Sequence, residues 1–195
     1  MQTVSGTLLC YGDSGMSASV LNPDPRFTYD WYVDGILVLS DTLDATNLPG
    51  GQLTAVANFL GCTGTSSEVT LQQPDALSVA SQQTDVSCYG DATGSITITT
   101  QGGTGTYDYQ WSNGANNSMI SSLSAGIYDV TITDANNCSL AEQFTITEPS
   151  QLQVSVTMNQ NQLNGIASGG SPSYTYEWQL NNQTISTSSS VTAQQ

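Results

Sequence analysis

Gly94-Ser95-Ile96-Thr97-Ile98-Thr99-Thr100 and Tyr128-Asp129-Val130-Thr131-Ile132-Thr133-Asp134 decide the fold. In both stretches apolar side chains, mostly β-branched, alternate with polar ones. Period-2 alternation of this kind marks a strand with one buried face. Phe144-Thr145-Ile146-Thr147 continues the pattern. Between these runs stand clusters of Gly, Asn, Asp and Ser, the residues that turns require. No stretch has helical periodicity. Several short strands within about 75 residues indicate an all-β, immunoglobulin-like sandwich.

Working outward, the stretch belongs to a repeat. It opens with Cys88-Tyr89-Gly90-Asp91 and passes through Gly102-Gly103 and Tyr107-Asp108-Tyr109-Gln110-Trp111. It then turns at Leu123-Ser124-Ala125-Gly126-Ile127-Tyr128 and closes with Cys138 and Glu148-Pro149. An earlier copy has Cys10-Tyr11-Gly12-Asp13, Phe27-Thr28-Tyr29-Asp30-Trp31, Leu48, Gly51, Cys62 and Pro74. A third, partial copy has Gly169-Gly170 and Tyr174-Thr175-Tyr176-Glu177-Trp178, and Gln195 falls before any closing cysteine. The expected organisation is tandem sandwich modules over 1–74 and 75–149, followed by a truncated module over 150–195.

Leu123-x-x-Gly126-x-Tyr128 has the form of a tyrosine corner, whose phenol reaches back to the backbone at a Greek-key crossing. The first copy has Leu53 in place of that tyrosine, so its corner should be weaker. Four cysteines admit three pairings. The repeat favours pairing each copy with itself, Cys10–Cys62 and Cys88–Cys138, with Trp31 or Trp111 packed on the bridge. Closing a loop of about 50 residues is worth roughly 4 kcal/mol in the chain-entropy picture. The cysteines lack the C-x-x-C spacing of a zinc site. Disulfides place the protein outside the cytoplasm.

Composition removes whole classes of function. Sixteen acidic residues face one base, Arg26, for a net charge of −15, and there is no Lys and no His. Nucleic-acid phosphates demand several Lys or Arg contacts, so nucleic acid is excluded as a partner. Anionic membrane surfaces are disfavoured for the same reason. Without His there is no Ser-His-Asp triad and no imidazole metal site. Only 9% of residues are charged, against about 25% in an average soluble domain. Ser, Thr, Asn and Gln must therefore supply the polar surface, which suits exposed strands. No run of 18 apolar residues is present to insert in a membrane. Met1-Gln2-Thr3 does not open a signal peptide, so an export signal is expected outside this stretch or already removed.

The residues of the second copy resemble the SprB-type repeat of long surface adhesins of gliding bacteria. The resemblance rests on Cys88-x-Gly90-x-x-x-Gly94, Gly102-Gly103-Thr104, Tyr107-x-Tyr109-x-Trp111, Leu123-x-x-Gly126-x-Tyr128, Val130-x-Ile132-x-Asp134 and Cys138. The first copy follows more loosely, with Asn58 near the place of Asp134, and the third only in its middle. The resemblance implies a bacterial cell-surface location, export by the type IX route, a stalk-like array of neighbouring repeats, and adhesion or gliding. It supplies no catalytic residue, and the expectation is a non-enzymatic protein. The rival reading is a module that itself binds a polysaccharide or protein ligand.

Among sharper candidates, Asp13, Asp91, Asp108 and Asp134 sit at turns or strand ends, where oxygen donors suit Ca²⁺. They are scattered and form no Asp-x-Asp-x-Asp loop, so turn formation and solubilising charge is the simpler reading. No cofactor is expected. A carboxylate pair for glycoside hydrolysis has no visible cleft. The Tyr107/Tyr109/Trp111 stripe suits a sandwich core better than sugar stacking, whereas Tyr11, Tyr89 and Tyr32 lie off the stripe as candidate exposed contacts. Asp41-Thr42-Leu43 resembles the Asp-Ser/Thr-aliphatic acceptor of bacterial O-glycosylation, with Thr42 as the modified residue.

Overall fold

The computed structural model describes residues 2–171 and 173–192. Met1 and Gln195, the outer limits assigned to the first and third modules, lie outside them. The described residues form strands and no α-helix.

In the first copy the strands are β1 (Gln2–Ser5), β2 (Ser14–Val20), β3 (Thr28–Val33), β4 (Ile36–Leu39), β5 (Asp44–Pro49), β6 (Gly51–Phe59), β7 (Cys62–Thr65) and β8 (Val69–Leu71). They make two antiparallel sheets, β1-β2-β5 and β4-β3-β6-β7, with β8 also paired to β6. The chain crosses between sheets after β2, β4 and β5. The inner faces meet in a core of Met16 and Ala18 from β2, Trp31 and Val33 from β3, Leu48 from β5 and Leu53 from β6. This is an immunoglobulin-like sandwich, and the period-2 pattern of β3 matches it residue for residue, with Tyr29, Trp31 and Val33 buried.

The second copy repeats the arrangement. Its strands are β9 (Ser78–Thr84), β10 (Gly94–Gln101), β11 (Asp108–Trp111), β12 (Met119–Leu123), β13 (Gly126–Thr133) and β14 (Ser139–Ile146). The sheets are β12-β10-β9 and β11-β13-β14. Ile96, Ile98, Trp111, Val130, Ile132 and Ile146 are buried. The third stretch contributes β15 (Gln153–Asn159), β16 (Gln162–Ser168), β17 (Trp178–Leu180), β18 (Gln183–Ser186) and β19 (Ser190–Thr192), in sheets β15-β16-β19 and β17-β18. None of its described residues is buried.

One contact marks every copy. The indole N–H of Trp31 donates to the Thr42 carbonyl (3.0 Å), that of Trp111 to Asn117 (2.8 Å) and that of Trp178 to Ser188 (2.8 Å). A buried indole needs such a partner, and the same partner position recurs because the fold recurs.

By compactness the chain divides into two units. The first is Met1–Ala80 with Thr99–Tyr109 and Thr131–Ala141; the second is Ser81–Ile98 with Gln110–Val130 and Glu142–Gln195.

The within-copy cysteine pairing is corrected. Cys10 is bonded to Cys138, with Cα atoms 5.6 Å apart, while Cys62 and Cys88 are exposed and free. The reason is register. Ser14 pairs with Pro49, so the Cys10 loop sits at the end of the sandwich where β6 begins. Cys62 pairs with Phe59, at the other end of β6. Eight steps of strand at ~3.3 Å each separate those ends by about 26 Å, whereas a disulfide requires Cα atoms about 4.4–6.8 Å apart. The expectation of a tryptophan on a disulfide is corrected with it: Trp31 is enclosed by aliphatic side chains, and Trp111 meets the Phe144 ring at 5.9 Å.

Trp31 is fully buried at the centre of the first core. Trp31→Ala should therefore cost about 3–5 kcal/mol, read as a lower midpoint in urea unfolding followed by near-ultraviolet circular dichroism.

Candidate functional site

The most constructed polar site lies where the turn after β13 meets the loop before β2, within the first compact unit. The turn exists because Asp134 continues the inward face of β13. Tyr128, Val130 and Ile132 are even-numbered and turned inward, and Asp134 follows them with only 4% of its surface exposed. Its carboxylate accepts three backbone N–H groups, from Thr104 (2.8 Å), Asn136 (2.9 Å) and Cys138 (2.9 Å). The Asp134 N–H donates to the Cys138 carbonyl at 2.9 Å and closes the turn. Asn137 takes a left-handed conformation (φ 67°), which Asn tolerates well.

Burial pushes the Asp134 carboxyl up, but the N–H donors from Cys138, Thr104 and Asn136 outweigh it and hold its pKa below the usual carboxylate value. The ionised form is therefore the folded form.

The Asn136 amide donates to the Leu9 carbonyl (3.1 Å) and to the Thr104 hydroxyl (2.8 Å). Cys138 Sγ lies 3.3 Å from the Leu9 carbonyl oxygen and is bonded to Cys10. The opening loop has its own supports. Asp13 Oδ2 accepts the Cys10 N–H (2.8 Å), and Gln73 Oε1 accepts the Gly12 N–H (3.2 Å). On the far side Gly103 N–H donates to the Asp75 carbonyl (2.8 Å), and Tyr107 donates to the Gly102 carbonyl (2.7 Å). Gly102 has φ 78°, and a Cβ there would overlap the Ala76 carbonyl, so only glycine fits. The arrangement is a covalent and hydrogen-bonded clasp between the opening loop of the first copy and the second copy.

The other sequence candidates fall as follows. Asp13 and Asp91 stabilise the two opening loops, Asp108 is exposed at the start of β11, and Asp134 is saturated by N–H donors. The structure does not bring these acids together: among the described residues no three Asp, Glu or Cys groups gather as a metal site. The core stripes are buried at Trp31 and Trp111, while Tyr11 (61%) and Tyr89 (54%) are exposed and Tyr32 is half-buried. Tyr128 makes the expected corner by donating to the Ser124 carbonyl (3.0 Å). In the first copy Leu53 is fully buried instead. The Thr42 hydroxyl is turned inward without a hydrogen-bond partner, so its loop would have to open to admit a glycosyl donor. Sequence reasoning read Asp134 as one more turn-forming acid. Its even register with Tyr128, Val130 and Ile132 was the signal that it points inward.

Residues 80–116 match the profile of the family described as SprB repeat. The match covers the loop Cys88–Asp91, β10 and β11, and marks this stretch as a repeat-protein structural module. The chain is similar to the solved amphioxus IgVJ-C2 molecule, at 14% identity and a TM-score of 0.32, over 75% of this chain and 96% of that one. It is also similar to the fibronectin(III)-like modules of Clostridium thermocellum CbhA, at 19% identity and a TM-score of 0.28, over 76% of this chain and 94% of that one. No curated protein matches the chain.

Because Asp134 titrates below the ordinary carboxylate value, its contribution to stability is complete above the unfolded-state pKa of about 3.9 and is lost as pH falls through the lower folded value. Asp134→Asn should lower the urea midpoint at pH 7, and the gap to the parent protein should shrink as pH drops below about 3.9. A gap independent of pH would mean that charge is not what the three donors stabilise.

Proposed function

We propose that the chain is a load-bearing segment of a repetitive bacterial cell-surface adhesin, built of repeats over 1–74, 75–149 and a partial 150–195, that holds adhesive regions away from the cell. The observation that carries this reading is the span of the Cys10–Cys138 bond, whose partners are 128 residues apart in sequence. A pull on the chain ends passes through the sulfur bridge, so the strands between Cys10 and Cys138 bear no tension while it is intact. A closed loop of that length is also worth roughly 5 kcal/mol in the chain-entropy picture, large beside the stability expected of small cores.

The SprB-type match over residues 80–116 supports a surface protein, and the resemblance extends the reading to export by the type IX route and to gliding or attachment. A net charge of −15 keeps such an array soluble. No helix among the described residues is long and apolar enough to cross a membrane. The implied partners are neighbouring repeats of the same chain. The reading invokes no cofactor and no catalysis.

One observation favours a second reading, a module that binds a surface polysaccharide or protein. Tyr11 and Tyr89 are exposed at the same position of the two opening loops.

Single-molecule pulling tests the mechanical role. Reductant should lengthen the fully extended chain by roughly 420–460 Å, the reach of the 128-residue span that the bridge closes at ~3.3–3.6 Å per residue; unchanged extension would defeat the load-bearing role. A screen against immobilised polysaccharides and abiotic surfaces, with and without Ca²⁺, should find no saturable binding. Saturable binding abolished by Tyr11→Ala with Tyr89→Ala would replace the spacer reading with the second one.

A further inference from the structure

The clasp in the first compact unit has an unfinished counterpart in the second. The loop Cys88-Tyr89-Gly90-Asp91 repeats Cys10-Tyr11-Gly12-Asp13 in its contacts as well as its sequence. Asp91 N–H donates to the Cys88 carbonyl (3.1 Å) as Asp13 N–H does to Cys10 (3.2 Å). Gly90 N–H is held by Glu148 Oε2 (2.7 Å), the residue before Pro149, as Gly12 N–H is held by Gln73, the residue before Pro74.

The receiving surface is repeated too. Gly170 N–H donates to the Ser150 carbonyl (2.6 Å) as Gly103 does to Asp75. Tyr174 donates to the Gly169 carbonyl (2.5 Å) as Tyr107 does to Gly102. Gly169 has φ 75°, and a Cβ there would overlap the Gln151 carbonyl, just as at Gly102. Ser171 Oγ donates to the Ser87 carbonyl (3.5 Å), the equivalent of Leu9, against whose carbonyl Cys138 Sγ rests. The loop and its seat are thus both present, and the described residues lack only the turn that carries the second sulfur. Cys88 is exposed and free at this place.

We infer that Cys88 is a linkage site for the closing cysteine of the repeat that follows it, so that each opening cysteine bonds to the next repeat rather than to its own. This rests on the tandem-repeat reading above and names the partner: an Asp-x-Asn-x-Cys turn like Asp134–Cys138. The bond forms by thiol–disulfide exchange. One thiolate attacks a small-molecule or protein disulfide and the second displaces the mixed disulfide, so two thiols lose two protons and two electrons while the donor disulfide is reduced to two thiols.

Two proteins test this in a glutathione redox buffer, with alkylation and peptide mapping under non-reducing conditions as the readout. In the first, Ser171→Cys sets a sulfur beside the Ser87 carbonyl. In the second, residues 193–195 are replaced by a copy of residues 122–149, which completes the third repeat after Thr192. The unaltered chain should yield a linked Cys10–Cys138 peptide with Cys62 and Cys88 both alkylated. In each altered protein Cys88 should escape alkylation and appear joined to the introduced cysteine, while Cys62 stays alkylated. Cys88 alkylated as readily as Cys62 in the folded extended chain overturns the inference; if the extension does not fold, the single substitution decides it in the same way. Either failure leaves the surface-repeat reading intact, since pulling and ligand binding test that separately.

Discussion

Antiparallel pairing along β6 fixes the covalent plan of the chain. It holds the opening loop of a copy at one end of the sandwich and the closing cysteine at the other, about a strand length apart. Neither can bond to the other without unpairing the sheet. Cys10 therefore finds its sulfur partner in a different copy. The Cys10–Cys138 bond is the realised case.

This placement suits repeats with small cores. Each of the first two copies centres on one buried tryptophan and a few aliphatic side chains, which is modest for a domain of this size. Strength comes instead from the contact between copies, where a buried ionised Asp134, Asn136 and a disulfide converge within a few residues. The third stretch shows the opposite limit. Val154, Val156 and Met158 stand on one face of β15 and are exposed, and none of the described residues of this stretch is buried.

Electrostatics act locally against a one-signed background. The only basic side chain, Arg26, is spent on Asp24 (2.5 Å), whose pKa it lowers to about 2 at an exposed site. Such a surface pair adds little to stability. Asp134 has no cation and is held ionised chiefly by backbone N–H groups, with a further contribution from the Thr104 side chain. In a chain with no Lys and no His, the peptide backbone takes the role that a buried base would otherwise fill.

The sequence by itself determined the strands and their inward faces. Alternation at Ser95–Thr100 and Tyr128–Asp134 needs only local sterics and the burial of one face. It also determined the tyrosine corner and the exclusion of basic chemistry, since these follow from residue type and short spacing. The disulfide pairing was decided by tertiary structure. Similar positions in two copies suggested partners within each copy, but sequence spacing carries no information about which end of a sheet a loop occupies. The inward Asp134 shows the boundary between the two. Its even register was readable, yet its charge state depends on N–H groups from Thr104 and from its own turn, which only the folded chain brings to one carboxylate.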